Sequence, residues 1–267
     1  MILSVMSIRL DALTVKHPTD GAQRPLVDGV TAEAGAGRMT ALLGPNGAGK
    51  TSLLHALVQP PFMGVVRVLG QDFKQARPVE RARRLALIPQ RSRDTLGFTV
   101  AECLRMGRHP HGDGARWSRG AGPCRSLAAV GFESPRAWLE RRLDTLSGGE
   151  HRRVLVARAA AQVEGVDAAV LADEPTAGLD PRHAEAVLGL LRHWSRTRPV
   201  LVVLHDLDAA ARYADDVWLM DRGRLVASGP TPKVLEPDTL RSVYGMHFGE
   251  HRRLGPLAGV TVVPPRP

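Results

Sequence analysis

The sequence predicts an α/β protein: a sheet of mainly parallel strands covered by helices on both faces and interrupted by a helical insertion. Three observations carry this reading. Residues 39–43, 85–88, 170–172 and 200–204 are short, continuously apolar runs, and a strand apolar on both sides needs cover on both sides. These runs alternate with longer stretches of helical periodicity, as parallel strands joined by crossover helices do. Residues from about 91 to 145 are rich in Gly, Pro and Arg and offer helices but no convincing strand.

In chain order, the run 39–43 precedes a helix-capable stretch at 51–58, and residues 65–69 read as a further strand. From Ser147 onward, Val154, Ala157 and Ala161 fall on one helical stripe; Pro181 opens another helix, with Ala184, Val187, Leu188 and Leu191 facing inward. Residues 218–220 and 225–227 read as strands joined by the turn Asp221-Arg222-Gly223. The chain is expected to be one domain, 1–267, with a core at 5–90 and 151–245, a helical subdomain at 91–150 and an irregular tail at 250–267.

Apolar residues make up 43% and charged residues 24%, which excludes wholesale disorder and fibrous repeats. Lys and Arg number 36 against 27 acids, a net charge of +9 that would suit nucleic acid or an anionic membrane. However, the Arg clusters at 81–84, 141–142 and 152–153 have no interleaved aromatic residues on which bases could stack. Cys103 and Cys124 sit in no metal-binding or disulfide spacing. The N-terminus is charged too soon for a signal peptide, and no apolar run approaches the roughly 18 residues of a membrane span. Any membrane role is borrowed from a partner.

Gly44-Pro45-Asn46-Gly47-Ala48-Gly49-Lys50-Thr51 is a complete GxxxxGK[ST] between a strand and a helix. Its glycines turn backbone N–H groups toward phosphate oxygens, the helix N-terminus adds its positive end, Lys50 reaches the β and γ phosphates and Thr51 holds Mg²⁺. Ser52 follows in the same turn. Downstream, the run 169–172 ends in Asp173 and Glu174, the first suited to Mg²⁺ through water and the second to orienting an attacking water. These two motifs alone leave kinases, GTPases and helicases open. Leu146-Ser147-Gly148-Gly149-Glu150 then opens a helix. An ordinary Ser cap with a capping-box Glu accounts for Ser147 and Glu150 but leaves both glycines unexplained. A second anion-binding helix tip has no use on the same triphosphate, so it points to a partner's nucleotide.

Together these segments resemble the ATPase subunits of ABC transporters over roughly residues 5 to 245. GPNGAGKT is similar to their Walker A, Gln90 to the Q-loop glutamine, LSGGE to the signature, VLADEPTAGLD to the Walker B and D-loop, and His205 to the switch histidine. The resemblance implies a P-loop NTPase, RecA-like core with an inserted helical subdomain and an N-terminal antiparallel β part. It implies ATP and Mg²⁺ as cofactors and two copies facing head to tail, with ATP between one copy's Walker A and the other's Ser147, Gly148 and Gly149. Gln90 then touches Mg²⁺ beside Thr51 and Asp173, Asp180 works across the interface, and His205 and Gln90 assist Glu174. The family stacks adenine on an aromatic residue after the first strand; the corresponding position here is His17, followed by a polar insert at 18–24. Ala172 replaces a bulkier apolar residue.

The stretches 85–90, 97–102 and Gly107-Arg108-His109-Pro110-His111 are similar to importer subunits for iron-siderophore, haem and cobalamin, and Arg152-Arg153-Val154 with 211–215 leans toward haem. The resemblance therefore implies a peripheral subunit on the cytoplasmic membrane face, working with a transmembrane permease and a periplasmic or lipoprotein binding protein, with no nucleic acid expected. The histidines of 107–111 are read as docking or solvent residues, not haem ligands. The competing reading, a non-transport ATPase acting on nucleic acid or ribosomes, rests on the positive charge alone.

Overall fold

Continuous apolar strands are the organising feature of the computed structural model, which describes residues 6–16, 24–90, 97–246, 248–249 and 261–262. The central sheet has the order β10-β9-β3-β8-β7-β6. Its parallel strands are β3 (Met39–Leu43), β6 (Leu85–Ile88), β7 (Ala169–Asp173), β8 (Val200–Val203) and β9 (Asp216–Asp221), and β10 (Arg224–Pro230) returns antiparallel beside β9. Every residue of β3, β7 and β8 is buried. Alternation sends Val170 and Ala172 into one core cluster and Ala169 and Leu171 into the other, on opposite faces of the sheet.

The first face is covered by α6 (Gly148–Val163), α7 (Pro181–Ser195) and α3 (Val100–Arg108). Val154, Ala157 and Ala161 of α6 and Val187, Leu188 and Leu191 of α7 are buried as their spacing predicts, while Ala184 is only partly covered. The second face receives α1 (Lys50–Val58), whose Leu53, Leu54 and Leu57 are fully buried, each contributing about 1.5–3 kcal/mol. The same cluster includes an antiparallel sheet, β2-β1-β4-β5, formed by β1 (Ser7–Val15), β2 (Val27–Gly35), β4 (Met63–Val68) and β5 (Gln71–Asp72).

Between α2 (Pro78–Arg84) with β6 and helix α6 lie α3, α4 (Gly114–Arg119) and α5 (Gly122–Ala128), with only an isolated bridge, Thr99 to Arg142, among the described residues. Helix α6 runs across residues 150–151. After β8 come α8 (Leu207–Tyr213), β9, β10, α9 (Thr231–Val234) and α10 (Pro237–Tyr244), then the short pair β11 (Phe248–Gly249) and β12 (Thr261–Val262). Among the described residues no helix is long and apolar enough to cross a membrane.

The Gly107-to-His111 segment has a packing role. Arg108, buried, donates to the carbonyls of Ala161 and Glu164 at 2.9 Å each, and His111 Nε2 lies 2.9 Å from the Gln162 carbonyl. These groups satisfy the C-terminal carbonyls that a helix leaves open. Gly107 lets α3 cross α6 closely: a Cβ there would stand 2.4 Å from the Arg158 carbonyl oxygen. Gly107→Ala is therefore expected to destabilise the fold by about 1–3 kcal/mol in urea denaturation, and an unchanged midpoint would refute the close crossing.

Candidate functional site

The phosphate-loop motif, the acid pair, Gln90 and His205 all lie at the C-terminal ends of adjacent strands. Register aligns Leu42 with Val203, Val203 with Asp173, and Ala172 with Ile88. Continuing each strand by one or two residues brings Gln90 level with Glu174, and Gly44 level with His205. Segments distant in sequence thereby meet at one edge, where open α/β sheets bind their ligands.

The loop after β3 is wound by residues that only glycine suits. Gly49, the N-cap of α1, has φ 97°, and a Cβ there would lie 2.5 Å from the Leu26 carbonyl oxygen. No side chain caps α1 and no acid occupies its first turn, so its leading N–H groups stay open to an anion. Lys50, 6% exposed, donates to the Gly44 and Pro45 carbonyls at 2.7 and 2.9 Å. Burial lowers its pKa, opposed by the charges of Glu174 and Asp173. The ammonium thus braces the loop it belongs to while remaining positioned for phosphate.

Asp173 is fully buried, and among the described residues neither carboxylate oxygen has a hydrogen-bond partner of good geometry. Burial raises its pKa; the Thr51 hydroxyl is near enough to oppose the rise, and the charge of Glu174 adds to it. An orphaned buried carboxylate beside a hydroxyl is a hard-oxygen donor set that fits Mg²⁺, an ion that takes few protein ligands and completes its shell with water and phosphate.

Glu174 sits between His205 and Gln90. His205 Nε2 lies 2.5 Å from Glu174 Oε1. Burial opposes ionisation of Glu174, but hydrogen bonds from His205 and Gln90 and the Lys50 charge outweigh it and hold the carboxyl below its ordinary range. Its φ of 48° is left-handed, a conformation that costs energy in a non-glycine residue and concentrates at functional sites. Asn46, Gly47, Ala48, Gly49, Lys50, Thr51, Ser52, Gln90, Glu174 and His205, with Leu26, line one cavity of about 290 Å³. A second cavity, about 670 Å³, adjoins it through Leu26, Thr51 and Ser52 and extends past Lys16, His55 and Phe62. His17 lies outside the described residues.

Ser147, Gly148, Gly149 and Asp180 do not line this cavity. Ser147 and Gly148 are exposed. The Ser147 hydroxyl accepts from the Glu150 N–H at 3.3 Å while Glu150 Oε2 accepts from the Ser147 N–H at 2.8 Å, so both ends of the capping box close. Among the described residues nothing lies within 4 Å of a Cβ placed on Gly148, and one on Gly149 would meet Leu179 at 3.4 Å and Gly178 at 3.6 Å. The helix tip therefore adjoins the loop leading to Asp180, and packing within the subunit gives Gly148 no reason to be glycine. Asp180 caps α7, accepting from the His183 N–H at 2.9 Å, with His183 Nδ1 2.6 Å from its other oxygen. Those bonds hold its carboxyl below the ordinary range.

Two contributors escape a motif search. The Leu26 carbonyl closes over Gly49, and Tyr244 on α10 hydrogen-bonds the Gly44 backbone. Both come from segments whose sequence has no phosphate-binding pattern; only their place in the fold reveals them.

The sequence pattern of the ABC transporter family matches residues 27–177. The hemin import ATP-binding protein HmuV of Streptomyces coelicolor is 42% identical over 252 residues, covering 91% of this chain and 86% of that protein. The cobalamin import ATP-binding protein BtuD of Halobacterium salinarum is 36% identical over 249 residues, 91% of this chain and 60% of that protein. The dimeric structure of MJ0796, a bacterial ABC transporter cassette, superposes with a TM-score of 0.73 at 21% identity over 84% of this chain and 98% of the other, a likeness of fold.

Replacing the charged donor of the cradle is expected to cost about 1.5–3 kcal/mol of nucleotide binding. Lys50→Met should therefore raise the Kd for ATP by about 10- to 150-fold in fluorescent-nucleotide titration; unaltered affinity would contradict the role of Lys50.

Proposed function

This chain belongs to the ABC transporter family, as an ATP-hydrolysing subunit of the importer branch, and from that premise we propose that it drives uptake of an iron chelate, haem foremost, by closing two copies of itself around ATP. The observation that carries the reading is the exposed Ser147-Gly148-Gly149 tip: it lines no part of its own subunit's cavity, leaves open space at Gly148 and adjoins the Asp180 loop. A helix tip in that position suits a phosphate brought by a second copy. The cargo assignment rests on the relative that imports hemin.

The backbone of residues 44–49 and Lys50 bind the triphosphate, with Ser52 in the first turn of α1 beside them. The second copy's signature tip closes on the γ-phosphate, and Asp180 helps form the interface. Mg²⁺, when bound, would be held by Thr51, Asp173 and Gln90, and would neutralise charge developing on the phosphate oxygens. Water then attacks the γ-phosphorus, the bond to the bridging oxygen of ADP breaks, and Glu174 Oε takes the proton the water gives up. His205 and Gln90 hold Glu174 so that its free lone pair faces the water; its lowered pKa keeps it ionised and ready to accept. Adenine packs in the larger adjoining cavity.

Hydrolysis then reopens the dimer, and the movement is passed to a transmembrane permease fed by a periplasmic or lipoprotein binding protein. The subunit itself works as a peripheral component on the cytoplasmic face.

Glu174→Gln should bind ATP with near-native affinity, lose turnover by about 10²- to 10⁴-fold and accumulate as an ATP-dependent dimer in size-exclusion chromatography. Steady hydrolysis by this variant would eliminate Glu174 as the base. Reconstituted with its permease and binding protein, the native chain should show ATPase stimulation by haem; stimulation by cobalamin instead would reassign the cargo.

A further inference from the structure

Helix α6 carries the signature tip at its first turn and holds strand β6 along its length. Near its C-terminal end, Gln162 Nε2 donates to the carbonyls of Ala82 and Leu85 at 2.7 and 3.2 Å, so it grips the start of β6. Near its N-terminal end, Arg152 donates to the Pro89 carbonyl at 3.0 Å, so it grips the residue before Gln90. Residues 152 and 162 are about 15 Å apart along a helix rising 1.5 Å per residue. Residues 85 and 89 are about 13 Å apart along a strand rising 3.3 Å per residue. The two spans match, so α6 and β6 run side by side, pinned at both ends.

Between those pins the contact is apolar: Ala86 and Ile88 of β6 share a core cluster with Leu155, Val156 and Ala159 of α6. At the end of β6 where Gln90 leaves the strand, Arg152 ties this unit to the loop. A guanidinium donating to a carbonyl is a charge-assisted hydrogen bond, and this one is partly buried, which shields it from competing water. Beyond it, Gln90 lines one cavity with Glu174 and His205, and His205 Nε2 lies 2.5 Å from Glu174 Oε1. In the other direction, a single helical turn separates Arg152 from the Ser147 cap and the open Gly148.

We infer that Arg152 is a positioning residue that couples the two nucleotide sites of the dimer. It fixes the loop bearing Gln90 to the helix whose tip meets the second copy's nucleotide. Engagement of that tip then sets Gln90 and, through it, Glu174 in the subunit's own site. Each site reports its occupancy to the other through one rigid helix. This extends the reading of Glu174 and the signature tip given above and rests on it.

The test is steady-state ATP hydrolysis by the full chain carrying Arg152→Met, which keeps most of the apolar stem and removes the donor, beside Arg152→Lys, which keeps a donor. For Arg152→Met, kcat is expected to fall about tenfold and the Hill coefficient for ATP to move toward 1, a loss within the usual range of site coupling. ATP affinity of the monomer and the thermal midpoint should stay at native values, and Arg152→Lys should recover most of both losses. A native Hill coefficient and kcat in Arg152→Met overturn the inference, as does a kcat loss that follows a loss of monomer affinity or of thermal stability. Should Arg152→Met fail to fold, Arg152→Gln is read by the same criteria. Glu174→Gln separates the two levels of argument: an ATP-trapped Glu174→Gln dimer beside a native-like Arg152→Met removes the coupling alone, whereas free turnover by Glu174→Gln removes the underlying reading.

Discussion

Parallel hydrogen-bond register between β6, β7, β8 and β3 puts four chemically different loops at one level. No single loop holds enough groups to bind a triphosphate and activate water; the sheet brings them together because its strands end within one or two residues of each other. A slip by one residue in β7 would turn Asp173 to the opposite face. The buried alternation of β7 opposes such a slip, since Ala169 and Leu171 fill one cluster and Val170 and Ala172 the other. The small side chain of Ala172 is tolerated where the strand is enclosed on both faces, so the departure from a bulkier residue is a matter of packing.

Charge within this edge is balanced tightly. Lys50 is drawn to its own loop carbonyls and faces two carboxylates, one orphaned and one held by His205 and Gln90. An orphaned buried carboxylate is costly, and the left-handed backbone of Glu174 adds strain. Both costs fall on the residues that have the most to gain from a ligand. The apolar clusters beneath the sheet offset them.

Much of this was legible in the sequence because its signals are local. The continuous runs of β3, β7 and β8 announce enclosed strands, and the glycines of 44–49 announce a turn around an anion. The antiparallel sheet was harder to read. In β1 the buried positions Ile8 and Leu10 follow the two-residue period, but a register shift at left-handed Ala12 moves the next buried position to Leu13, and the alternation breaks. Strand β2, with Gly and several Ala, has too weak a pattern to be seen. Leu26, Tyr244 and Arg152 reach the site through backbone or long-range contacts that no local pattern encodes. The histidines of 107–111, suggestive in sequence, belong to a segment that closes the end of α6.

The helix tip at Ser147 shows why a capping motif and a ligand site are compatible readings of one segment. The capping box satisfies the N–H groups of Ser147 and Glu150 within the subunit. It leaves the donors at the start of the helix, those of Gly148 and Gly149, unused by the cap, with open space at Gly148 among the described residues. Ser147 and Glu150 thus stiffen the tip, and the glycines clear it. A tip stiffened from within and bare on its outer side loses little conformational entropy when an anion arrives. Because the same rigid helix also grips Pro89, that arrival is transmitted along α6 to the subunit's own carboxylate.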